Sequence, residues 1–403
     1  MAPPTTTASS TPSNPPSSSR PSPSTSSPSP PPPTAPAPLG VHLIGSLSGS
    51  TTAYAAMSAM LSSYPSRLRR VPDGEPAARG SFIAWQRDVF ARAAPEVLRQ
   101  YDSGFNCVPL PAVSQEEVDR VVKGMMMGTG EEGEREQDGG LKTGYDDAAL
   151  SSYAAFTQLH AAGKISPHTR FQVCIPTPTA VMCLVRPEYQ LAIEPLYTSA
   201  LLSALRRIQA EIPHAQLAIQ IDVAAETLTL EGLRRGDERC WWPHFAPYWG
   251  APHFEGVVER IVRVVDAVES DVQVGFHVCH GDWRNAHFVE PADLGLAVEI
   301  ANAVTQAARR EVDWWHLPVP KERSDGAYFA PLRALDVGRA ELFLGLVHAD
   351  DEEGTWRRLR AAREVLGEER EVGVASECGL GRTPADKLQS IAEISTKVSM
   401  PVV

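Results

Sequence analysis

The amino-acid sequence predicts an α/β protein, a (β/α)8 TIM-type barrel preceded by a disordered tail rich in Pro and Ser. Short, almost wholly apolar strand candidates alternate with amphipathic helix patterns along most of the chain. Strands that are apolar on both faces are typical of a parallel sheet covered by helices. Eight or nine such units within about 360 residues favour a closed barrel over an open sheet.

The predicted elements follow one another in a regular strand–helix order. The strand candidates are 41–46, 67–74, 105–111, 170–178, 217–224, 272–282, 312–319, 340–349 and 371–379. Helix patterns cover 187–211, 254–269, 292–309, 355–366 and 384–398. We therefore expect one barrel domain over residues 40–403.

Two segments lack the composition of a packed core. Residues 1–39 are almost entirely Pro, Ser, Thr and Ala, and Arg20 is their only charged side chain. They contain no apolar stretch of the kind that signal peptides carry, so a disordered tail is favoured over a targeting signal. The Gly- and Glu-rich stretch "GTGEEGEREQDGG" (128–140) predicts an exposed insertion at about 124–145.

Composition excludes several classes of partner. The net charge of −12 over 403 residues disfavours nucleic acid or an anionic membrane surface as a binding partner. No apolar run approaches the roughly 20 residues that cross a bilayer. The six cysteines are scattered without the spacing of a disulfide framework, which favours a reducing, cytoplasmic setting with free or metal-bound thiols.

The stretch "VGFHVCHGDWRNAHF" (274–288) raises the question of metal binding. His277 and Cys279 are two positions apart, so on a strand their side chains point to the same side. An imidazole beside a thiol can bind zinc or another soft metal. Taken alone, the pair is more typical of a buried cysteine beside a hydrogen-bonded histidine.

A third candidate ligand makes the metal interpretation stronger. Cys378, in "VASECGLGR", follows another apolar strand, and the strand ends of a closed barrel meet at one mouth. One histidine and two cysteines would leave a coordination position open, as catalytic zinc requires. Two further polar residues lie at strand ends: Asp222 in "LAIQIDVA" and His348 in "GLVHADDEEG". We expect functional roles for both because a buried carboxylate needs a partner and a neutral histidine can carry protons.

Several segments, in this order, resemble the catalytic C-terminal barrel of the cobalamin-independent methionine synthase family, of the UROD/MetE-like superfamily. They are "HLIGSLSGS", "LAIQIDVAAE", "HVCHGD", "RSD" (323–325), "GLVHADDEEG" and "SECGLGR". The resemblance runs from about residue 41 to the C-terminus, apart from the acidic insertion. It implies Zn2+-dependent methyl transfer from a methyl-folate to a homocysteine-like small-molecule thiol.

The resemblance also implies roles for individual residues. It places zinc ligands at His277, Cys279 and Cys378, an amino-group contact at Asp222, further substrate contacts at Ile44, Gly45 and Ser46, and a proton donor at His348. The family's fourth zinc ligand, a glutamate, falls on Pro320, which has no ligand atom. Glu322 or His316 could take its place, or a water molecule could. Asp282 is expected to orient a ligand imidazole from behind.

The methyl donor and the activity itself have alternatives. Where the family has a tryptophan that seats the folate, "PTPTAVMCLVRP" offers Cys183 and Leu184. The sequence therefore favours zinc-assisted alkyl transfer to a thiol over methionine synthesis in particular. The rival hypothesis is the same barrel without transferase activity, either a lyase of the uroporphyrinogen decarboxylase type or a metabolite-binding pseudoenzyme. Pro320 favours this rival, whereas the two thiols beside a histidine disfavour it.

Overall fold

The computed structural model describes residues 39–102, 106–127, 140–236, 245–283, 286–367 and 369–402. Eight strands form its main sheet: β1 (Val41–His42), β2 (Arg70–Pro72), β3 (Arg170–Pro176), β4 (Leu217–Val223), β5 (Gln273–Val278), β6 (Trp314–Pro318), β7 (Glu341–Val347) and β8 (Val372–Ser376). A two-stranded antiparallel hairpin, Asp282–Trp283 with Ala286–His287, follows β5.

Helices separate most of the strands. They are α1 (Ala53–Ser63), α2 (Gln86–Ala93), α3 (Gln115–Met127), α4 (Tyr145–Ala161), α5 (Pro178–Met182), α6 (Pro187–Glu211), α7 (Ala225–Arg235), α8 (His253–Val265), α9 (Gly295–Ala307), α10 (Gly326–Phe329), α11 (Glu352–Leu366) and α12 (Ala385–Val398). Short 3-10 helices cover Ala77–Ser81, Pro95–Val97, His214–Gln216 and Ala330–Ala334. No helix in the described part of the chain has the length and hydropathy needed to span a membrane.

The strands are all parallel and form a nearly closed barrel. Their order around the sheet is β1-β8-β7-β6-β5-β4-β3-β2. Single parallel bridges join the two ends of this order, from Val41 to Leu68 and from Ser46 to Gly74. The predicted TIM-type α/β barrel is confirmed.

The predicted strands compare well with the observed ones, with one error. Eight of the nine candidates contain a barrel strand, and α6 matches the predicted helix at both ends. The candidate at 105–111 is wrong, since in its described part Cys107 forms only an isolated bridge with Tyr101. Pro109 and Pro111 explain the error, because proline cannot donate to a sheet hydrogen bond. Residues 1–38 of the predicted tail and 128–139 of the predicted insertion lie outside the described residues.

The barrel interior has its own small apolar layer, separate from the core beneath the helices. Trp314, Ala218 and Phe343 form this layer, and all three are buried. The Arg70 guanidinium lies 4.0 Å above the Trp314 ring. Trp314 fits because its register partner on β5 is Gly275. A Cβ atom at position 275 would lie only 2.0 Å from the indole ring.

Replacing Gly275 with alanine should therefore destabilise the barrel strongly. The added methyl group must displace Trp314 or the backbone of β5, which costs about 1–3 kcal/mol or more of unfolding free energy. Urea denaturation would show a lower midpoint. Gly326→Ala is the matched control, since no atom lies within 4 Å of a Cβ added there. Equal midpoints for the two variants would contradict the close contact.

The first and last described segments of the barrel lie side by side. Leu39 forms a parallel bridge with Met400, and the backbone N–H of Val402 donates to the carbonyl of Ser66 over 2.7 Å. Gly40, with φ of 53°, passes so close to Val402 that an added Cβ would lie 2.9 Å from its side chain. The C-terminal segment thus helps to seat β1.

Candidate metal centre

Three potential metal ligands meet at the C-terminal mouth of the barrel. His277 lies on β5, Cys279 follows that strand directly, and Cys378 lies just beyond the end of β8. The two sulfur atoms are 3.7 Å apart, and His277 Nε2 lies 3.8 Å from Cys378 Sγ. One ligand atom from each residue lies within 4.8 Å of the others. The predicted convergence of His277, Cys279 and Cys378 is thus present in the fold.

These distances fit a tetrahedral zinc ion. With a Zn–S bond of about 2.3 Å and a Zn–N bond of about 2.0 Å, the S–S edge is roughly 3.8 Å and the S–N edge roughly 3.5 Å. Among the described residues, no other His, Cys, Asp or Glu joins the group. Glu322 is not brought to it, because this side chain is exposed in the turn after β6. Pro320, two positions earlier, is buried.

The close contact between the two sulfurs shifts the pKa values of both thiols. The contact with Cys378 raises the pKa of Cys279 well above its usual value, and burial adds to the effect. The same contact holds the pKa of Cys378 well below its usual value. Two cysteine sulfurs beside a histidine nitrogen form a donor set that suits a soft divalent cation.

The polar residue Asp222 lies in the same layer of the barrel. It is the register partner of His277 on the neighbouring strand β4. Asp222 is buried, and one of its oxygens accepts a hydrogen bond from Gln220 Nε2 over 2.8 Å. Burial, and then the nearby carboxylate of Glu75, raise the pKa of Asp222 well above its usual value. A cation bound beside this carboxyl group would favour its ionised form.

The loop after β1 is hydrogen-bonded both to the side chain that holds Asp222 and to the loop that carries Cys378. Gln220 Nε2 also donates to the Ile44 carbonyl over 2.5 Å, so one amide holds both Ile44 and Asp222. Ser46 Oγ accepts a hydrogen bond from the backbone N–H of Gly381, in the loop that carries Cys378. The structure thus brings Ile44 and Ser46 to the mouth, where the resemblance places substrate contacts.

Gly45 allows a close approach between this loop and Glu75. A Cβ at position 45 would lie 3.2 Å from Cys174 Sγ and 3.5 Å from Glu75 Oε1. Burial, and then Asp73, raise the pKa of Glu75 to about 8. The sequence "PDGE" (72–75), which contains Glu75, suits a simple turn as well as substrate orientation. Positive φ angles at Glu75 and Ala77, 49° and 60°, show that the backbone is strained where this carboxyl group is presented.

Glu75 should make stability depend on pH. Its carboxyl group stays protonated up to about pH 8 in the folded chain but ionises near pH 4.5 when unfolded. The favourable contribution is thus complete below pH 4.5 and is lost as the pH rises towards 8. Glu75→Gln should show a smaller fall in unfolding free energy between pH 5 and pH 8 than the wild type, measured by urea denaturation. Glu364→Gln, at an exposed site on α11, should follow the wild type, and an unchanged slope for Glu75→Gln would refute the expectation.

His348 lies near the partly buried carboxyl group of Glu377. Its Nε2 donates to the Val319 carbonyl over 2.9 Å, and its Nδ1 lies 3.9 Å from Glu377. Burial, followed by Arg358, lowers the pKa of His348 to about 3, so the ring is neutral at pH 7. A neutral ring with a bare Nδ1 suits transient proton transfer.

Glu377 is a residue that sequence reasoning missed, although it stands directly before Cys378. His287 Nε2 lies 3.0 Å from its carboxylate. Burial alone would lower the pKa of His287, but the contact with Glu377 raises it to about 9. Glu377 therefore lies between a charged and a neutral histidine. The side chain of Asp282, expected to orient a ligand imidazole, lies outside the described residues.

His316, proposed from the sequence as a substitute ligand, makes hydrogen bonds with other groups. It is the register partner of His277 on β6, and the two Nδ1 atoms lie 2.8 Å apart. Its Nε2 lies 3.1 Å from the Ser376 carbonyl. Both of its nitrogens are thus engaged, and neither is free to bind a metal.

The fold and this cluster define a TIM-type α/β-barrel protein with a candidate His/Cys/Cys metal site at the mouth of the barrel. No protein-family model matches the chain, and no curated protein matches it. The fold is similar to that of a B12-independent methionine synthase from Shewanella sp. W3-18-1, solved in complex with selenomethionine. That match has 13% identity and a TM-score of 0.50, and it covers 90% of this chain and 98% of that chain.

A putative vitamin-B12 independent methionine synthase from Listeria monocytogenes also matches. It has 13% identity and a TM-score of 0.44, with coverage of 89% of this chain and 95% of that chain. At 13% identity, the likeness to the Shewanella structure shows a shared fold.

Proposed function

We propose that this protein is a zinc-dependent enzyme that transfers a methyl or other alkyl group to the sulfur of a small thiol. The observation that carries the proposal is the meeting of one nitrogen and two sulfurs within 4.8 Å at the mouth of the barrel. TIM-barrel enzymes build their active sites at this face. The fold shared with a B12-independent methionine synthase supports an S-methyltransferase of that kind.

His277, Cys279 and Cys378 would hold the zinc ion and leave one position for substrate. Zinc bound there would lower the pKa of an incoming thiol, so that it reacts as a thiolate. His277 and Cys279 are buried, and Cys378 is partly buried. The chain itself supplies a fixed set of donors, since each ligand follows or ends a barrel strand.

The acceptor would be an amino-thiol of the homocysteine type. Asp222 and Glu75 place two carboxyl groups with raised pKa values at the mouth, and an ammonium group would favour ionisation of both. Gln220 fixes the Asp222 carboxylate and the Ile44 carbonyl together. The two features that recognise an amino group and a thiol therefore lie in one layer of the barrel.

The reaction replaces the S–H bond of the acceptor by an S–C bond and breaks the bond between the alkyl carbon and its carrier. The thiol proton passes to the released carrier when that carrier is a methyl-folate nitrogen, and to solvent when it is a neutral sulfide from a sulfonium donor. His348 is neutral and has a bare Nδ1 facing Glu377, so this pair can take up or return a proton at the mouth. The alkyl donor is a methyl-folate or another carrier of an activated alkyl group.

Metal analysis of the purified full-length protein, joined to a transfer assay, tests the proposal. We expect about one zinc per chain. Homocysteine should alter the visible spectrum of the Co(II)-substituted protein, because its sulfur would bind the metal, and labelled methyl should pass to homocysteine from methyl-folate or a sulfonium donor. Protein without zinc, or zinc-free protein with full activity, would refute the proposal.

A further inference from the structure

His277 and His316 form a buried pair on adjacent strands. They are register partners on β5 and β6, and both side chains are at most 3% exposed. Their ring centroids are 4.9 Å apart, and the Nδ1 atoms approach to 2.8 Å. At that distance one nitrogen must donate and the other must accept.

The Ser376 carbonyl decides which nitrogen donates. It can only accept, so His316 Nε2, 3.1 Å away, must carry a hydrogen. A neutral imidazole has one N–H group, which leaves His316 Nδ1 bare. It therefore accepts from His277 Nδ1–H. His277 Nε2 is then the bare nitrogen, and this atom lies 3.8 Å from Cys378 Sγ.

A glycine on the intervening strand makes this chain of contacts possible. β7 lies between β6 and β8, and His316 reaches across it to Ser376 on β8. Gly345, on β7, leaves the necessary space. A Cβ at position 345 would lie 3.2 Å from His316 Nε2 and 3.1 Å from the Ser376 carbonyl. Four consecutive strands thus contribute to the orientation of one imidazole.

We infer that His316 is a positioning residue, which holds His277 in the tautomer whose bare Nε2 faces the two sulfurs. The ligand nitrogen is thereby free of its proton before any cation arrives, and the Nδ1–H bond to His316 makes it a better donor. The benefit for metal binding rests on the proposed function. The tautomer itself is a property of the metal-free chain.

Long-range 1H–15N NMR on the full-length, metal-free chain labelled with 15N-histidine tests the tautomer directly. We expect the His277 signals to show a protonated Nδ1 and a bare Nε2 at pH 7. His316→Gln and His277→Gln variants assign the signals. A proton on Nε2 of His277 would overturn the inference. This measurement needs neither zinc nor activity. If His316 had only a structural role, it would not determine the tautomer of His277.

Zinc affinity, measured by competition with a chromophoric chelator, tests the consequence. His316→Leu removes the acceptor and should weaken zinc binding about 10–100-fold. His316→Gln keeps an acceptor and a donor on one terminal amide and should stay within about threefold of the wild type. Circular dichroism checks the fold of both.

The outcomes separate this inference from the proposed function. Binding by a folded His316→Leu variant as tight as that of the wild type would overturn the positioning role. If His316→Leu fails to fold, two other measurements test the positioning role. They are the His277 tautomer in the wild type and the zinc affinity of His316→Gln. A wild-type chain that binds no zinc but shows the expected tautomer would refute the proposed function and leave the His277–His316 pairing supported.

Discussion

Replacing Cys378 with serine should leave a folded protein that retains less than about a tenth of an equivalent of zinc. A serine hydroxyl stays protonated at neutral pH and is a poor ligand for zinc, whereas the contact with Cys279 holds the pKa of the Cys378 thiol well below its usual value. Alkyl transfer should be lost with the metal. Metal analysis after gel filtration measures the first effect, and the transfer assay measures the second.

Cys279→Ser should behave in the same way, because its sulfur is the partner 3.7 Å away. Cys107→Ser is the matched control, since this thiol lies near Arg99, away from the cluster, and its loss should leave zinc content unchanged. If Cys378→Ser kept a full equivalent of zinc, the cluster would not be the metal site.

Replacing Asp222 with asparagine should weaken binding of homocysteine by roughly 30-fold or more, which corresponds to about 2 kcal/mol for loss of one partner in a buried charge pair. Asparagine keeps the oxygen that Gln220 contacts, so the packing of the layer should be preserved. Spectroscopic titration of the Co(II)-substituted protein gives the dissociation constants. Zinc content should stay the same, because Asp222 is not among the ligands.

A matched ligand makes this test specific for the amino group. 4-Mercaptobutyrate is homocysteine without its amino group, so it should bind the wild type and Asp222→Asn with similar affinity. Equal losses for both thiols would show that Asp222 supports the mouth generally. No loss for homocysteine would refute the amino-group contact.

The convergence of the metal group follows from sequence because all strands of a parallel barrel end at one mouth. His277 and Cys279 lie at the end of one strand and Cys378 just past another, so correct strand positions were enough to bring them together. The alternation rule for strands placed His277 and Cys279 on the same side. These inferences needed no knowledge of side-chain contacts.

The role of His316 could not be predicted in the same way. The sequence shows only that His316 lies near the position expected for the fourth ligand. That position is as compatible with a metal ligand as with a positioning residue. Register decides the matter, because the pairing of β5 with β6 places its Nδ1 against His277 rather than the sulfurs. The sequence left the role of Glu75 open for a different reason. The backbone has positive φ angles at Glu75 and Ala77, and these angles orient the Glu75 carboxyl group. No periodic pattern in the sequence predicts such angles.

The bridge between Leu39 and Met400 has a consequence for engineering. Since the two ends of the barrel are neighbours in one sheet, a short peptide could join residue 402 to residue 39 and new termini could be opened elsewhere. Circular permutation of this kind is tolerated where chain ends lie close together. Opening the chain between α11 and β8 would put Cys378 near the new N-terminus and Cys279 in the second half of the chain, with the mouth still assembled from the same strands.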